Sequence, residues 1–237
     1  TPEGLIAIQE ALGSDRAMVL DERLPARPGS PSRLAAAMER TLRWADRARA
    51  ARRRPDQAVF AIVQGGVVES LRRRSAARTQ ELGFDGYAHG GLGLGESREQ
   101  RCGAVAAAHS ELPEAAPRYL MGLGRPVDLL DGVAAGVDLF DCVVPTRNGR
   151  HGLLFTRAGL LQIRNARFRD DADPPDPGCD CPACRHHSRA YLRHLLQCGD
   201  SLGARLCALH NLRFYMSLLE RAREAIAVGR FAALRAE

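Results

Sequence analysis

The feature that most restricts this chain's fold is an alternation running from residue 17 to residue 143. Short apolar runs, each ending in polar or glycine residues, are followed by longer stretches of helical patterning. The runs are AMVLDE (17–22), AVFAIVQGG (58–66), GYAHGGLGLGE (86–96), RYLMGLG (118–124) and VDLFDCVVP (137–145). Helices are expected around 31–53, 69–82, 97–112 and 126–136. Strands alternating with helices build parallel βαβ units. Asp21, Gln64, Gly91, Met121 and Asp141 then fall at the carboxyl ends of strands. In a (β/α)8 barrel that edge is the active-site face.

Five strands cannot close such a barrel. A complete one takes roughly 250 residues, about 30 per unit. Three further units are therefore expected ahead of Thr1. The alternative is an open doubly wound sheet, but no GxGxxG fingerprint follows the first strand. We expect an α/β fold, a partial (β/α)8 TIM barrel of about five of the eight strands, over residues 1–145.

After Pro145 the period changes, and residues 146–237 are expected to form a second region. GLLFTRAGLLQIRN (152–165) suggests a β-hairpin turning at Arg157–Gly159, and DDADPPDPG (170–178) is an acidic, proline-rich loop. Helices are expected at about 187–198 and 200–227. Between loop and helices lies CDCPAC (179–184), whose three cysteines are close enough to share one metal ion. A structural zinc needs four ligands, and no second CxxC pair follows. The fourth ligand could be His186, His187, His194, His210, Cys198 or Cys207, and spacing leaves the choice open. His210 lies where a second helix could fold back over the cysteines. Four protein ligands would make the metal structural, with no open coordination position.

With 237 residues and 45% hydrophobic content the chain can bury a sizeable core. No apolar run approaches the roughly 20 residues a membrane span needs. The start of the chain also lacks the pattern of a signal peptide, so a cytoplasmic address is expected. Seven cysteines, three of them crowded, suit reduced thiols and a metal better than a disulfide framework. The net charge of +6 resides after residue 142, where 15 Arg stand against 9 Asp and Glu. Between 143 and 169 Arg147, Arg150, Arg157, Arg164, Arg167 and Arg169 face no acid at all. Such a concentration is a phosphate-binding footprint. The bland alternative is a solvated basic face in a chain that uses arginine and no lysine.

The stretch YLMGLGRPVDLLDGVAAGVDLFDCVVPTRNGRHG (119–152) closely resembles the tRNA-guanine transglycosylases of bacterial type, the base-exchange enzymes of queuosine biosynthesis. The likeness extends from TPEGLIAIQEALGSD through SPSRLAAAMERTLRWADRAR, FAIVQGG, GGLGLGE and the cysteine segment to RFAALR. Several motifs recur in the right order and at the right separations, over nearly the entire chain, with the family's N-terminal part missing.

The resemblance implies a role for each matching position. Asp141 matches the nucleophile that attacks the anomeric carbon of the wobble guanosine, displaces guanine and forms a covalent glycosyl enzyme. Asp21 matches the acid that accepts from the ring N–H and exocyclic amine of the base. Gln64 and the backbone of Gly91 would address the six-position carbonyl, with Leu92 in the same loop. Met121 and Gly122 would form an apolar floor beneath the base, and Glu96 would brace GGLGLG through peptide hydrogen bonds. Arg125, Arg147, Arg150 and Arg164 would meet phosphates of the tRNA anticodon arm, whose loop must splay out the target base. The fourth metal ligand in the family is a histidine matched by His210. The implied cofactor is one structural Zn2+ on Cys179, Cys181, Cys184 and His210. The implied partners are the anticodon arm, a 7-deazaguanine base and, in the full-length form, a second copy in a homodimer, with no membrane.

Two departures modify these expectations. The family's general acid/base aspartate comes from an early strand that this chain does not contain, so little or no turnover is expected from the 237 residues alone. Arg23 follows Asp21–Glu22 where relatives commonly carry cysteine or valine, and is expected to turn outward or pair with an acid such as Glu22. Leu94 stands where queuine users have glycine, so the expected incoming base is the small precursor 7-aminomethyl-7-deazaguanine. Two rival readings are a non-catalytic zinc-bearing RNA-binding partner subunit and an archaeal-type transglycosylase. The joint presence of Asp141, Asp21 and Gln64 argues against the first. The lack of an RNA-binding domain after residue 237 disfavours the second.

Overall fold

The structure is a computed structural model that describes residues 1–25 and 30–236. Its contacts divide the chain into two units, Thr1–Leu123 with Val127–Asp141, and Gly124–Pro126 with Cys142–Glu237. Among the described residues no helix is long and apolar enough to cross a membrane.

The first unit carries α1 (Pro2–Leu12), β1 (Arg16–Met18), α2 (Pro31–Ala51), β2 (Ala58–Val63), α3 (Glu69–Leu82), β3 (Gly86–His89), α4 (Arg98–His109), β4 (Arg118–Leu120), α5 (Pro126–Ala134) and β5 (Leu139–Phe140). All four strand pairings are parallel and the order is β1-β2-β3-β4-β5. Among the described strands the order never reverses, so this sheet has no topological switch point of the kind a doubly wound fold carries. Strand β2 is apolar on both faces, with Val59, Phe60, Ala61, Ile62 and Val63 all buried. Continuous burial is what a parallel strand covered by helices requires. Small residues on those helices, Ala45 and Ala48 of α2, Ala76 of α3 and Ala108 of α4, bring the helices close to the sheet. Burying a Val or Ile here contributes about 1.5–3 kcal/mol each.

Helix starts obey local chemistry. The Thr1 hydroxyl accepts from Gly4 N at 3.1 Å ahead of Pro2, and Ser30 accepts from Arg33 N at 3.3 Å ahead of Pro31. At α4 the Ser97 hydroxyl and Gln100 side chain form a reciprocal capping box. Helix α1 lies outside the helices expected from the sequence, although Thr-Pro-Glu is a start signature. It covers the outer edge of β1, where Gln9 accepts from Met18 N at 2.8 Å and donates to Met18 O at 2.9 Å. An amide side chain thus replaces a neighbouring strand at that residue.

The ladders are shorter than the apolar runs. The expected strand 86–96 ends at His89, and the expected strand 137–145 shrinks to two residues. Beyond Cys142 the chain turns into α6 (Val144–Arg150), because Pro145 sits in its first turn with φ preset for a helix.

The second unit continues from α6 with an antiparallel hairpin of β6 (Leu153–Thr156) and β7 (Gly159–Gln162). A single 3-10 turn (Ala166–Phe168), α7 (Pro182–His186), α8 (Arg189–Cys198), α9 (Ser201–Ala227) and α10 (Phe231–Ala236) complete it. Helix α9 is its spine. A Cβ at Gly149 of α6 would lie 2.6 Å from Ala208 N, so only glycine lets α6 approach α9 this closely. Leu154, Ile163, Leu192, Leu195, Leu196 and Leu206 form the core around it.

Candidate functional site

Each expected base-site residue lies just past the carboxyl end of a strand in the first unit. Gln64, Met121 and Asp141 directly follow β2, β4 and β5, Gly91 is two residues after β3, and Asp21 is three after β1. Asp21 and Gln64 meet, with Gln64 Nε2 donating to Asp21 Oδ2 at 2.6 Å. The Gln64 amide is packed against the β3 terminus. A Cβ on Gly90 would lie 2.6 Å from Gln64 Nε2, and one on Gly91 2.5 Å from Gln64 Oε1. Gly91 also has φ +68°, a conformation that side chains disfavour. Gln64 N is in turn held by the Ser75 hydroxyl at 3.0 Å.

Glu96 braces the glycine loop, accepting from Gly93 N at 2.6 Å and Leu94 N at 2.8 Å. Burial works against its charge, but these N–H groups and Arg101 outweigh burial and hold the carboxyl below the usual Glu range. Leu92 turns its side chain into the core with Ala104, Val105, Leu120 and Val137, leaving its main chain to face the loop. Leu94, Gln64 and Gly91 line a cleft of about 740 Å³ with Leu24, Leu34 and Val67. Arg23 is exposed. Of the two arrangements expected for Arg23, exposure is the one found, and among the described residues Glu22 pairs with Arg40 at 2.7 Å instead.

Asp141 is exposed, and its environment is asymmetric. The Tyr119 hydroxyl and the Gly122 N–H both donate to Oδ1 at 2.7 Å, and among the described residues Oδ2 receives no hydrogen bond. Tyr119 is not among the residues the sequence singles out, since an aromatic beginning a strand reads as core. Burial first, and then the Asp141 carboxylate, push its pKa well above the ordinary tyrosine range, so the hydroxyl keeps its proton and donates it to Asp141. Met121 packs on the core beneath this edge.

The second unit gathers Cys179, Cys181, Cys184 and His210, whose ligand atoms all lie within 4.8 Å of one another, and this group could hold a metal ion. His210 Nδ1 is 3.6 Å from Cys181 Sγ and 3.2 Å from Cys184 Sγ. Tetrahedral zinc with thiolate and imidazole ligands has S···N edges of about 3.6 Å. The tautomer is set from behind. His210 Nε2 donates to Phe155 O at 2.8 Å, leaving the Nδ1 lone pair free for a metal. Hydrogen bonding from Cys184 holds the Cys181 thiol below the ordinary range, and the same contact pushes Cys184 up. One thiolate thus suppresses its neighbour, a conflict that a bound cation would relieve. The other candidate ligands lie elsewhere: His194 and Cys198 face each other on the exposed side of α8, and Cys207 is buried in the core.

Asn211, next to His210 on α9, is fully buried. It accepts from Phe155 N at 3.0 Å and donates to Pro145 O and Leu153 O, each at 2.9 Å. It thereby fixes the hairpin strand whose Phe155 carbonyl orients His210. Arg147, Arg150 and Arg164 are exposed, and no ion pair among the described residues engages them. Arg125 is also exposed.

Comparison with known proteins places this arrangement in a family. Residues 1–237 match the family described as queuine tRNA-ribosyltransferase. A queuine tRNA-ribosyltransferase of Thioalkalivibrio sulfidiphilus is 49% identical over 237 residues, 100% of this chain and 64% of that protein. Another of Moorella thermoacetica is 51% identical over 229 residues, 97% of this chain and 61% of that protein. One of Sphingopyxis alaskensis is 50% identical, covering 100% and 64%. The chain thus spans less than two thirds of the length of these relatives, and with the family matched from its first residue to its last, it belongs to the queuine tRNA-ribosyltransferases.

Proposed function

We propose that the protein to which this chain belongs exchanges the anticodon wobble guanine of tRNA for a 7-deazaguanine through a covalent bond to Asp141. The observation that carries this reading is the Asp141 carboxylate, held through Oδ1 by Tyr119 and Gly122 with Oδ2 left over. The donors fix the carboxylate plane, and Oδ2 is the oxygen that attacks the ribose anomeric carbon. The Oδ2–C1′ bond forms as the C1′–N9 bond breaks, and the electron pair departs with guanine, which takes up a proton. The incoming base then attacks C1′ through its own ring nitrogen, gives up that nitrogen's proton in balance with the one guanine took, and frees the carboxylate, the double displacement of a retaining glycosidase.

Asp21 accepts from the donor edge of the base, and Gln64 with the Gly91 N–H binds its carbonyl. Met121 and Gly122 lie beneath, and Leu92 contributes main chain. Leu94 in the cleft lining supports a small incoming base, 7-aminomethyl-7-deazaguanine, over one with a carbocycle. Arg125, Arg147, Arg150 and Arg164 hold phosphates of the anticodon arm. Cys179, Cys181, Cys184 and His210 hold one structural Zn2+, which supplies no chemistry and ties α7 to α9. The sequential parallel sheet supports a segment of a (β/α)8 barrel. The full-length form is read as a cytoplasmic homodimer, by family resemblance.

The test is exchange of labelled guanine into substrate tRNA by the full-length protein. Asp141→Asn should abolish incorporation while tRNA is still bound, and incorporation at the parent rate would remove Asp141 from the chemistry.

A further inference from the structure

Beneath the base-reading residues lies a buried cation that the reaction leaves unassigned. Arg72 of α3 is 0% exposed. Its Nη1 donates to Val63 O and Gly90 O, both at 2.9 Å, and Nη2 to His89 Nδ1 at 3.2 Å. Nε has no partner, and no carboxylate among the described residues accepts from it. A buried charge without a counter-charge is costly, so the surrounding structure is built to hold it. Burial lowers its pKa only to about 10, with Glu96 acting in the opposite sense, so it remains a cation at neutral pH.

The two carbonyls it binds belong to the peptides that lead into the site. The Val63–Gln64 peptide is held at both ends by α3, its carbonyl by Arg72 and its N–H by Ser75. The Gly90–Gly91 peptide is held at its carbonyl alone, and no hydrogen bond among the described residues takes up the Gly91 N–H. A cation on a peptide oxygen draws electron density through the amide and strengthens the N–H as a donor. His89 adds to this clamp. Because a guanidinium can only donate, His89 Nδ1 accepts and its Nε2–H is directed at His109 Nε2, 2.8 Å away.

We propose that Arg72 is a positioning residue for base recognition, fixing the ends of β2 and β3 and polarising the Gly90–Gly91 peptide so that the Gly91 N–H donates strongly to the six-position oxygen of the base. This rests on the base-site reading above. It requires that the benefit of Arg72 depend on how good an acceptor the six-position atom is.

Guanine and 6-thioguanine share the edge that Asp21 reads and differ only in that acceptor, sulfur being the weaker one. Binding of each free base to the full-length protein, measured by calorimetry, is compared with binding to its Arg72→Lys variant. A lysine keeps the charge but lacks the fork that spans two carbonyls. The expected result is a loss of about five- to tenfold for guanine and about twofold or less for 6-thioguanine. Equal losses for both bases, or no loss for either, would overturn the inference and leave Arg72 a purely structural residue. Should the variant not fold, the parent chain labelled with 15N-glycine decides. Guanine should move the Gly91 amide proton downfield and 6-thioguanine should move it less, while an amide unmoved by bound guanine overturns the inference. A full-length parent that binds neither base overturns the base-site reading itself.

Discussion

Acid should destabilise the first unit through one histidine pair, and the size of the effect comes from the geometry. His109 Nδ1 donates to the Ala135 carbonyl, and its Nε2 accepts from His89. Protonating His109 would set an N–H against the N–H of His89. Burial, the largest cause, together with the nearby Arg118, brings the His109 pKa down from 6.5 to about 4, although the Ala135 carbonyl acts in the other direction. His89, fully buried beside Arg72, is held well below the ordinary value. The unfolded chain takes up a proton at His109 below about pH 6.5, while the folded one refuses it until about pH 4. Stability is therefore present above pH 6.5 and is lost as pH falls through that window. At about 1.4 kcal/mol per pH unit, the move from pH 7 to pH 5 removes up to about 2 kcal/mol through His109, less for the partly solvated ring edge. His109→Gln can accept from His89 and donate to Ala135 without titrating. Urea titrations followed by Trp44, the chain's only tryptophan and a residue of the first unit, should show the parent losing about 1–2 kcal/mol more than His109→Gln between pH 7 and pH 5. Parallel pH profiles would mean that His109 does not carry the acid sensitivity.

The second unit offers three further tests. Asn211→Leu leaves the buried Phe155 N–H unpaired and removes two bonds to carbonyls, and should cost about 2–5 kcal/mol with faster hydrogen exchange at Phe155; an unchanged exchange rate would contradict the assigned contacts. His210→Ala should lower bound zinc below one per chain and loosen α7 from α9, since structural zinc sites contribute about 10–16 kcal/mol in small peptides. One zinc retained with unchanged stability would remove His210 from the site. Arg147→Ala and Arg150→Ala should each weaken tRNA binding and reduce its salt slope by about one phosphate contact. A slope equal to the parent's would mean that these side chains do not meet phosphate.

Features legible in the sequence are local, and those that are not depend on distant pairings. The alternation locates all five strands of the first unit, because apolar runs ending in Asp, Gln or Gly mark a buried strand entering a site loop. It overstates their lengths, since residues past His89 and Phe140 continue apolar without continuing the ladder. Pro145 starts α6, although in the sequence it closes an apolar run and reads as the end of a strand. Three crowded cysteines announce a metal group, whereas the choice among six possible fourth ligands depends on which helix folds back, and the structure brings His210 to them. Tyr119, Arg72, the His89–His109 pair and Asn211 leave no sequence signal. Each acquires its partners across 9 to 66 residues of chain.

In the proposed reaction Asp141 Oδ2 becomes bonded to ribose. This is tested most directly by incubating full-length protein with substrate tRNA, denaturing, digesting with nuclease and protease, and reading the peptide spanning residue 141 by mass spectrometry. A ribose-linked remnant is expected on Asp141 and absent from Asp141→Asn; a remnant on any other residue, or base exchange by an enzyme whose Asp141 peptide is never modified, would rule out Asp141 as the nucleophile.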